Sequence, residues 1–223
     1  MEIPPLRLQQ ICFELKEQGA ENINLVTPMH YAPQIAAALL PIKEKLGIPI
    51  VCNTGGYDLT KNLQTIADTV DCYLPDFKFA DPQIARDYCR AEDYPSVVRS
   101  AIGTMIAQKG APKLDERGML QSGVMVRHLI LPGCRKDSLR ILDILYNDFG
   151  TENILLSLMS QYTPQPNAKG SISRKITEFE YRSVVEYALA LGFKGYMQDR
   201  SSAEASFTPP FDLTGVNGSS DCK

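Results

Sequence analysis

Ile23-Asn24-Leu25-Val26-Thr27 and Ile48-Pro49-Ile50-Val51-Cys52-Asn53 are two short apolar runs, and the segment between them, Tyr31 to Leu46, carries Ile35, Leu39, Ile42 and Leu46 on one side of a helix. Two strands joined through a helix run in the same direction, so this unit predicts a parallel sheet covered by helices. The second run ends at Thr54-Gly55-Gly56, a turn signal. Downstream the rhythm repeats. Helix Leu59 to Ala67 leads to strand Asp71 to Pro75, helices follow near Pro82 to Cys89 and Ser96 to Lys109, and Val124 to Leu131 is a long strand closed by Pro132-Gly133. Asp137 is expected to cap a helix that runs to Phe149, Ile154 to Met159 is the next strand, and Thr177 to Leu191 is a helix ahead of a short Gly195 to Gln198 strand. Gly110 to Gly123 reads as an excursion and the stretch from Thr163 to about Ser173 as a proline-rich loop.

Upstream of the deciding stretch, Leu8, Ile11, Cys12 and Leu15 form an amphipathic helix that ends before Gly19. Every later helix has a strand before it in the chain and this one has none, so the pattern predicts a missing first strand. The expected fold is therefore α/β: a partial parallel (β/α)6 TIM-like barrel over residues 1–200, lacking its first strand, with an irregular tail at 201–223. No glycine fingerprint of the dinucleotide or P-loop type follows the first apolar run, which argues against a doubly wound nucleotide fold.

The chain has 223 residues, of which 44% are hydrophobic and 22% charged, enough for one sizeable core. A net charge of -3 with mixed signs provides no basic field for nucleic acid. No apolar run reaches the roughly 20 residues that span a bilayer, and a cytoplasmic chain is expected. The six cysteines, Cys12, Cys52, Cys72, Cys89, Cys134 and Cys222, form no C-x-x-C or tighter group, so neither a disulfide framework nor a local metal loop is written here. Cys12, Cys52 and Cys72 fall where a small buried hydrophobe serves.

In parallel β/α folds functional groups gather at the carboxyl ends of the strands. Those ends carry Thr27-Pro28-Met29-His30-Tyr31, Asn53-Thr54-Gly55-Gly56-Tyr57, Asp76-Phe77-Lys78, Leu131-Pro132-Gly133, Ser160-Gln161-Tyr162 and Gln198-Asp199-Arg200. This polar ring over an apolar barrel suits a small polar ligand. Asp76 and Lys78, two apart on extended chain, project to the same side, where an acid and an amine bind the hydroxyls and carboxylate of one ligand. His30 follows a strand end, which suits ligand contact, proton transfer or simple solvation. Arg127 and His128 point to opposite faces of one strand, and periodicity does not tell which of them faces the interior.

Five segments carry a resemblance: Asn22 to Tyr31, Asn53-Thr54-Gly55-Gly56-Tyr57, Asp71 to Lys78, Val126 to Gly133 and Ser157 to Pro164. In this order, at successive strand ends, they resemble the radical S-adenosylmethionine (SAM) enzymes of the pyruvate formate-lyase activating enzyme type. The resemblance implies a barrel that binds SAM against a [4Fe-4S] cluster and cleaves it to a 5'-deoxyadenosyl radical. It implies as partners an electron donor and a glycyl-radical-type protein. By position it places Asp76 and Lys78 at the ribose and carboxylate of SAM and Gln161 near the adenosine. Thr27, His30, Asn53 and Arg127 complete the implied cofactor-binding set, with Thr27 to His30 in place of the family's glycine-glycine-glutamate. The family's C-x-x-x-C-x-x-C loop does not occur here, so no metal ligand is assigned within this chain. Two other readings share the residues: a barrel lyase in which a buried Lys78 forms a Schiff base beside Asp76, and a non-catalytic remnant that docks on a partner protein.

Overall fold

The computed structural model describes residues 3–197, so the Gln198-Asp199-Arg200 strand end, Cys222 and the 201–223 tail lie outside the described residues. Helix α1 (Pro5–Glu17) precedes β1 (Ile23–Val26), α2 (Ala32–Leu39), α3 (Lys43–Leu46) and β2 (Ile50–Thr54). Then come α4 (Thr60–Ile66), β3 (Cys72–Pro75), α5 (Pro82–Cys89), α6 (Tyr94–Lys109), β4 (Lys113–Leu114) and β5 (Leu120–Leu129). The last elements are α7 (Arg135–Phe149), β6 (Leu155–Met159), α8 (Glu178–Ala190) and β7 (Gly195–Met197). Strands β1, β2, β3, β5, β6 and β7 pair in that order, all parallel, while β4 adds antiparallel to β5. The sheet is an α/β partial barrel, open between β1 and β7 among the described residues.

Its two faces differ sharply. Ile50, Cys52, Tyr73, Val124, Val126, His128, Leu156 and Leu158 alternate along their strands and are all buried, because that face carries the helices and the core. The intervening residues face the concave side. There Val51, Cys72 and Leu155, near the amino ends of their strands, are buried, Asn24 and Val26 are exposed, and Asn53, Leu74, Met125, Arg127, Leu129, Ser157 and Met159 are half-buried. The open side of the sheet is thus the side that presents chemistry to solvent.

Several boundaries differ from the sequence expectations, each for a local reason. The segment from Tyr31 to Leu46 is not one helix. Pro41 lacks an amide hydrogen and its ring crowds the preceding turn, so a 3-10 turn at Leu40–Ile42 separates α2 from α3. The excursion from Gly110 to Gly123 is a hairpin: the Asp115 carboxylate accepts from the amides of Arg117 and Met119, and Gly118 takes a φ of 78°. The long strand consequently begins at Leu120, earlier than expected, and α6 starts at Tyr94. Asp137 is not a helix cap. It lies in the first turn of α7, buried, with its carboxylate directed at another segment.

Candidate functional site at the ends of the third, fifth and sixth strands

Past β3 the chain continues beside β5, where Asp76 pairs with Arg127 and the Phe77 amide donates to the Arg127 carbonyl at 2.9 Å. The parallel register that pairs Tyr73 with Val124 therefore sets Asp76 beside Arg127 on the concave face. The Arg127 guanidinium donates through Nε at 3.0 Å and Nη2 at 2.6 Å to the same carboxylate oxygen, Oδ1. Lys78 Nζ stands 3.8 Å from the other oxygen, Oδ2. Arg127 and Asp76 are only 24% and 20% exposed, so this pair is partly desolvated.

These three side chains, with Gln161 beyond β6, ring a cavity of about 350 Å³ whose apolar surface comes from Phe79, Leu129, Leu131 and Met159. That volume falls in the range of small-molecule sites. The sequence-expected residues Asp76, Lys78, Arg127 and Gln161 meet here. Thr27, His30 and Asn53 do not line it. Thr27 takes a left-handed φ of 53° and donates its amide to Asn53 O at 2.8 Å, and His30 is exposed in a 3-10 turn over Pro28–Tyr31. They hold the β1–β2 end of the rim, while the cavity lies over β3, β5 and β6.

The strand pair settles the Arg127 and His128 alternative. Arg127 faces the cavity, and His128 is 2% exposed on the helix side. Its Nδ1 lies 2.7 Å from Phe77 O, a pure acceptor, so that nitrogen carries the hydrogen, and Nε2 meets Ser138 Oγ on α7 at 2.9 Å. Burial pushes its pKa down to about 4, against which the Phe77 carbonyl works weakly.

Stability should follow. The unfolded histidine titrates near 6.5, so between pH 6.5 and 4 the unfolded chain binds a proton that the folded chain refuses. The contribution is complete above pH 6.5 and declines as pH falls, by about 3 kcal/mol in all. Urea unfolding at several pH values, for the parent and His128→Gln, should show a shallower slope in the variant across this window. Equal slopes would remove His128 as the cause.

Sequence reasoning missed how firmly the Asp76–Asp81 segment is held. Tyr94, at the start of α6, places its hydroxyl 2.7 Å from Asp76 O and 3.0 Å from Gly55 O, and accepts from the Lys78 amide at 3.0 Å. The Asp137 carboxylate accepts from the amides of Ala80 at 3.1 Å and Asp81 at 2.8 Å. Burial pushes the Asp137 carboxyl up, and these two amides work against that. Gly56 completes the packing with a φ of +78°: a Cβ there would stand 2.3 Å from Asp76 O. The available signal was Tyr94-Pro95 at a helix start, which carries no trace of a partner so distant in sequence.

The loop after β5 is pinned as well. Glu180 on α8 accepts from the Gly133 amide at 2.7 Å, from Arg174 and from Thr177. The Arg174 guanidinium holds this carboxyl well below the usual range, helped by the Thr177 and Gly133 amides.

Lys78 does not meet the condition for Schiff-base chemistry by a buried amine, because its side chain is 46% exposed. Nor do the described cysteines fit a cluster. Cys12, Cys52 and Cys72 are buried on separate elements, and burial drives the thiols of Cys52 and Cys72 up to about 12, opposing the thiolate that iron requires. Burial also raises Cys12 and Cys134, and the Cys89 thiol at the end of α5 donates to Ala85 O of the same helix. No group of three metal-ligating side chains occurs among the described residues. No described helix is long and apolar enough to cross a membrane.

No protein-family model matches this chain. It is 24% identical over 180 residues to an uncharacterized protein of Methanocaldococcus jannaschii, covering 78% of this chain and 47% of that protein. The chain thus spans about half the length of that curated relative. A domain of pyruvate-formate lyase-activating enzyme from Bacteroides vulgatus superposes with a TM-score of 0.58 at 11% identity, over 80% of this chain and 98% of that one. SuiB of Streptococcus suis bound to S-adenosylmethionine gives 0.56 at 11% identity, over 88% and 44%. A radical SAM methyltransferase of Sphaerobacter thermophilus gives 0.53 at 10% identity, over 84% and 54%. The fold is that of the radical SAM enzymes, as the sequence resemblance implies.

Proposed function

We propose that the cavity over β3, β5 and β6 binds the adenosyl and amino-acid parts of S-adenosylmethionine. The observation that carries this is the convergence of a carboxylate, two cations and an amide around an apolar floor in this fold. Arg127 occupies Oδ1 of Asp76, which leaves Oδ2 to accept from the ribose hydroxyls. Lys78, half-exposed at the mouth, is placed to meet the ligand carboxylate, and Gln161 to hydrogen-bond the adenine edge. Phe79, Leu129, Leu131 and Met159 receive the apolar faces of the nucleoside and exclude water from them.

In this reading the chain is the SAM-holding part of an activating-enzyme-like protein of the cytoplasm. The chemistry of that type is reductive cleavage of SAM at a [4Fe-4S] cluster, with an external electron donor and a radical passed to a glycine of a partner protein. The described residues do not fit the cluster, so no step is assigned to them through it. Their part is to bind and orient the ligand.

Equilibrium dialysis of the full chain against SAM, S-adenosylhomocysteine and adenosine tests this. Saturable binding of an adenosyl amino acid, competed by adenosine, is expected. No saturable binding of any of the three at millimolar concentration overturns the proposal.

A further inference from the structure

The ionised side chains lining the cavity are Asp76, Lys78 and Arg127, one anion against two cations. Asp76 is already engaged by Arg127 at 2.6 Å and faces Lys78 at 3.8 Å, so its charge is shared before any ligand arrives. The remaining lining, Phe79, Leu129, Leu131, Met159 and Gln161, carries no charge, and the apolar part lowers the local dielectric. A ligand entering here meets a surplus of one positive charge. An adenosyl amino acid has an ammonium and a carboxylate that cancel. Its sulfonium form, SAM, keeps one net positive charge, whereas the thioether S-adenosylhomocysteine keeps none. Ribose, adenine and amino-acid ends are shared, and the S-methyl group is the one further difference.

We infer that Lys78 and Arg127 make this cavity select S-adenosylhomocysteine over S-adenosylmethionine, so that recognition of the sulfonium requires an anionic group from outside the cavity lining described here. The inference rests on the adenosyl reading above and adds to it the charge of the favoured ligand. Like charges across a half-exposed site interact at an effective dielectric between those of protein and water. One uncompensated charge then costs the sulfonium on the order of tenfold in affinity at low salt.

Calorimetric titration of the full chain with each ligand reads this directly. S-adenosylhomocysteine should bind on the order of tenfold more tightly at low ionic strength, with the ratio shrinking as salt screens the field. Lys78→Gln removes one cation from a half-exposed side chain without disturbing the core, and should narrow the ratio. An analogue with a protonated amine in place of the sulfonium should track SAM, which separates charge from sulfur chemistry. Equal or tighter binding of SAM by the parent chain overturns the selectivity while leaving the adenosyl reading intact. Binding of neither ligand overturns both.

Discussion

Anaerobic incubation of this chain with iron, sulfide and a reductant is expected to leave it without a stoichiometric [4Fe-4S] cluster and unable to release 5'-deoxyadenosine from SAM. Such a cluster needs thiolates converging on one small site. The described cysteines are distributed over α1, β2, β3, α5 and the start of α7, and those of β2 and β3 are closed off by the core. Cys52 lies 3.9 Å from Met29 Sδ on the helix side of the sheet, and Cys72 approaches Leu120 O at 3.6 Å. Val51 pairs with Cys72 and Cys52 with Tyr73, so the two thiols leave adjacent strands on opposite faces of the sheet and do not converge. Visible absorption and low-temperature EPR after reduction read the outcome, with 5'-deoxyadenosine measured in parallel. A full cluster with reductant-dependent 5'-deoxyadenosine would overturn this expectation. Fusion of a C-x-x-x-C-x-x-C segment ahead of α1 is expected to produce both signals if cluster ligands are what the activity lacks.

Replacement of Asp76 by alanine should reduce affinity for the adenosyl ligand by about 2 to 4 kcal/mol, or roughly 30- to 1000-fold, through loss of charge-assisted bonds to the ribose. The variant also strands Arg127, whose guanidinium spends both inward donors on Oδ1. Asp76→Asn separates these effects: it keeps the volume and one acceptor but removes the charge, so it should lie between parent and alanine in affinity. Urea unfolding of all three forms distinguishes lost binding from lost folding. If Asp76→Ala binds as tightly as the parent, Asp76 does not contact the ligand.

The fold was largely readable because its strands are short apolar runs separated by helical periodicity, as in Ile50–Thr54 and Leu155–Met159. The break at Pro41 was written in the sequence too, but the regular spacing of Ile35, Leu39, Ile42 and Leu46 masked it. The site was half readable. Asp76 and Lys78 follow from two-residue spacing on extended chain, whereas the orientation of Arg127 depends on which face of the sheet stays open. In a closed barrel both faces are buried, and period two carries no answer. Tyr94 and Asp137 were unreadable for another reason: each acts on backbone groups of a segment far away in the chain, and backbone groups have no sequence signature.

That remote support gives the site a particular thermal character. Loops at strand ends usually fray, and a ligand that orders them loses part of its binding free energy to conformational entropy. Here the amides of Lys78, Ala80 and Asp81 and the carbonyls of Asp76 and Phe77 are anchored to α6, α7 and β5. Their opening is therefore tied to separation of those elements from the sheet, and their hydrogens should exchange with solvent about as slowly as those of the core. On the proposed reading, a ligand arriving at Asp76 meets a segment already held in place, and the cost of ordering that segment was met when the domain folded.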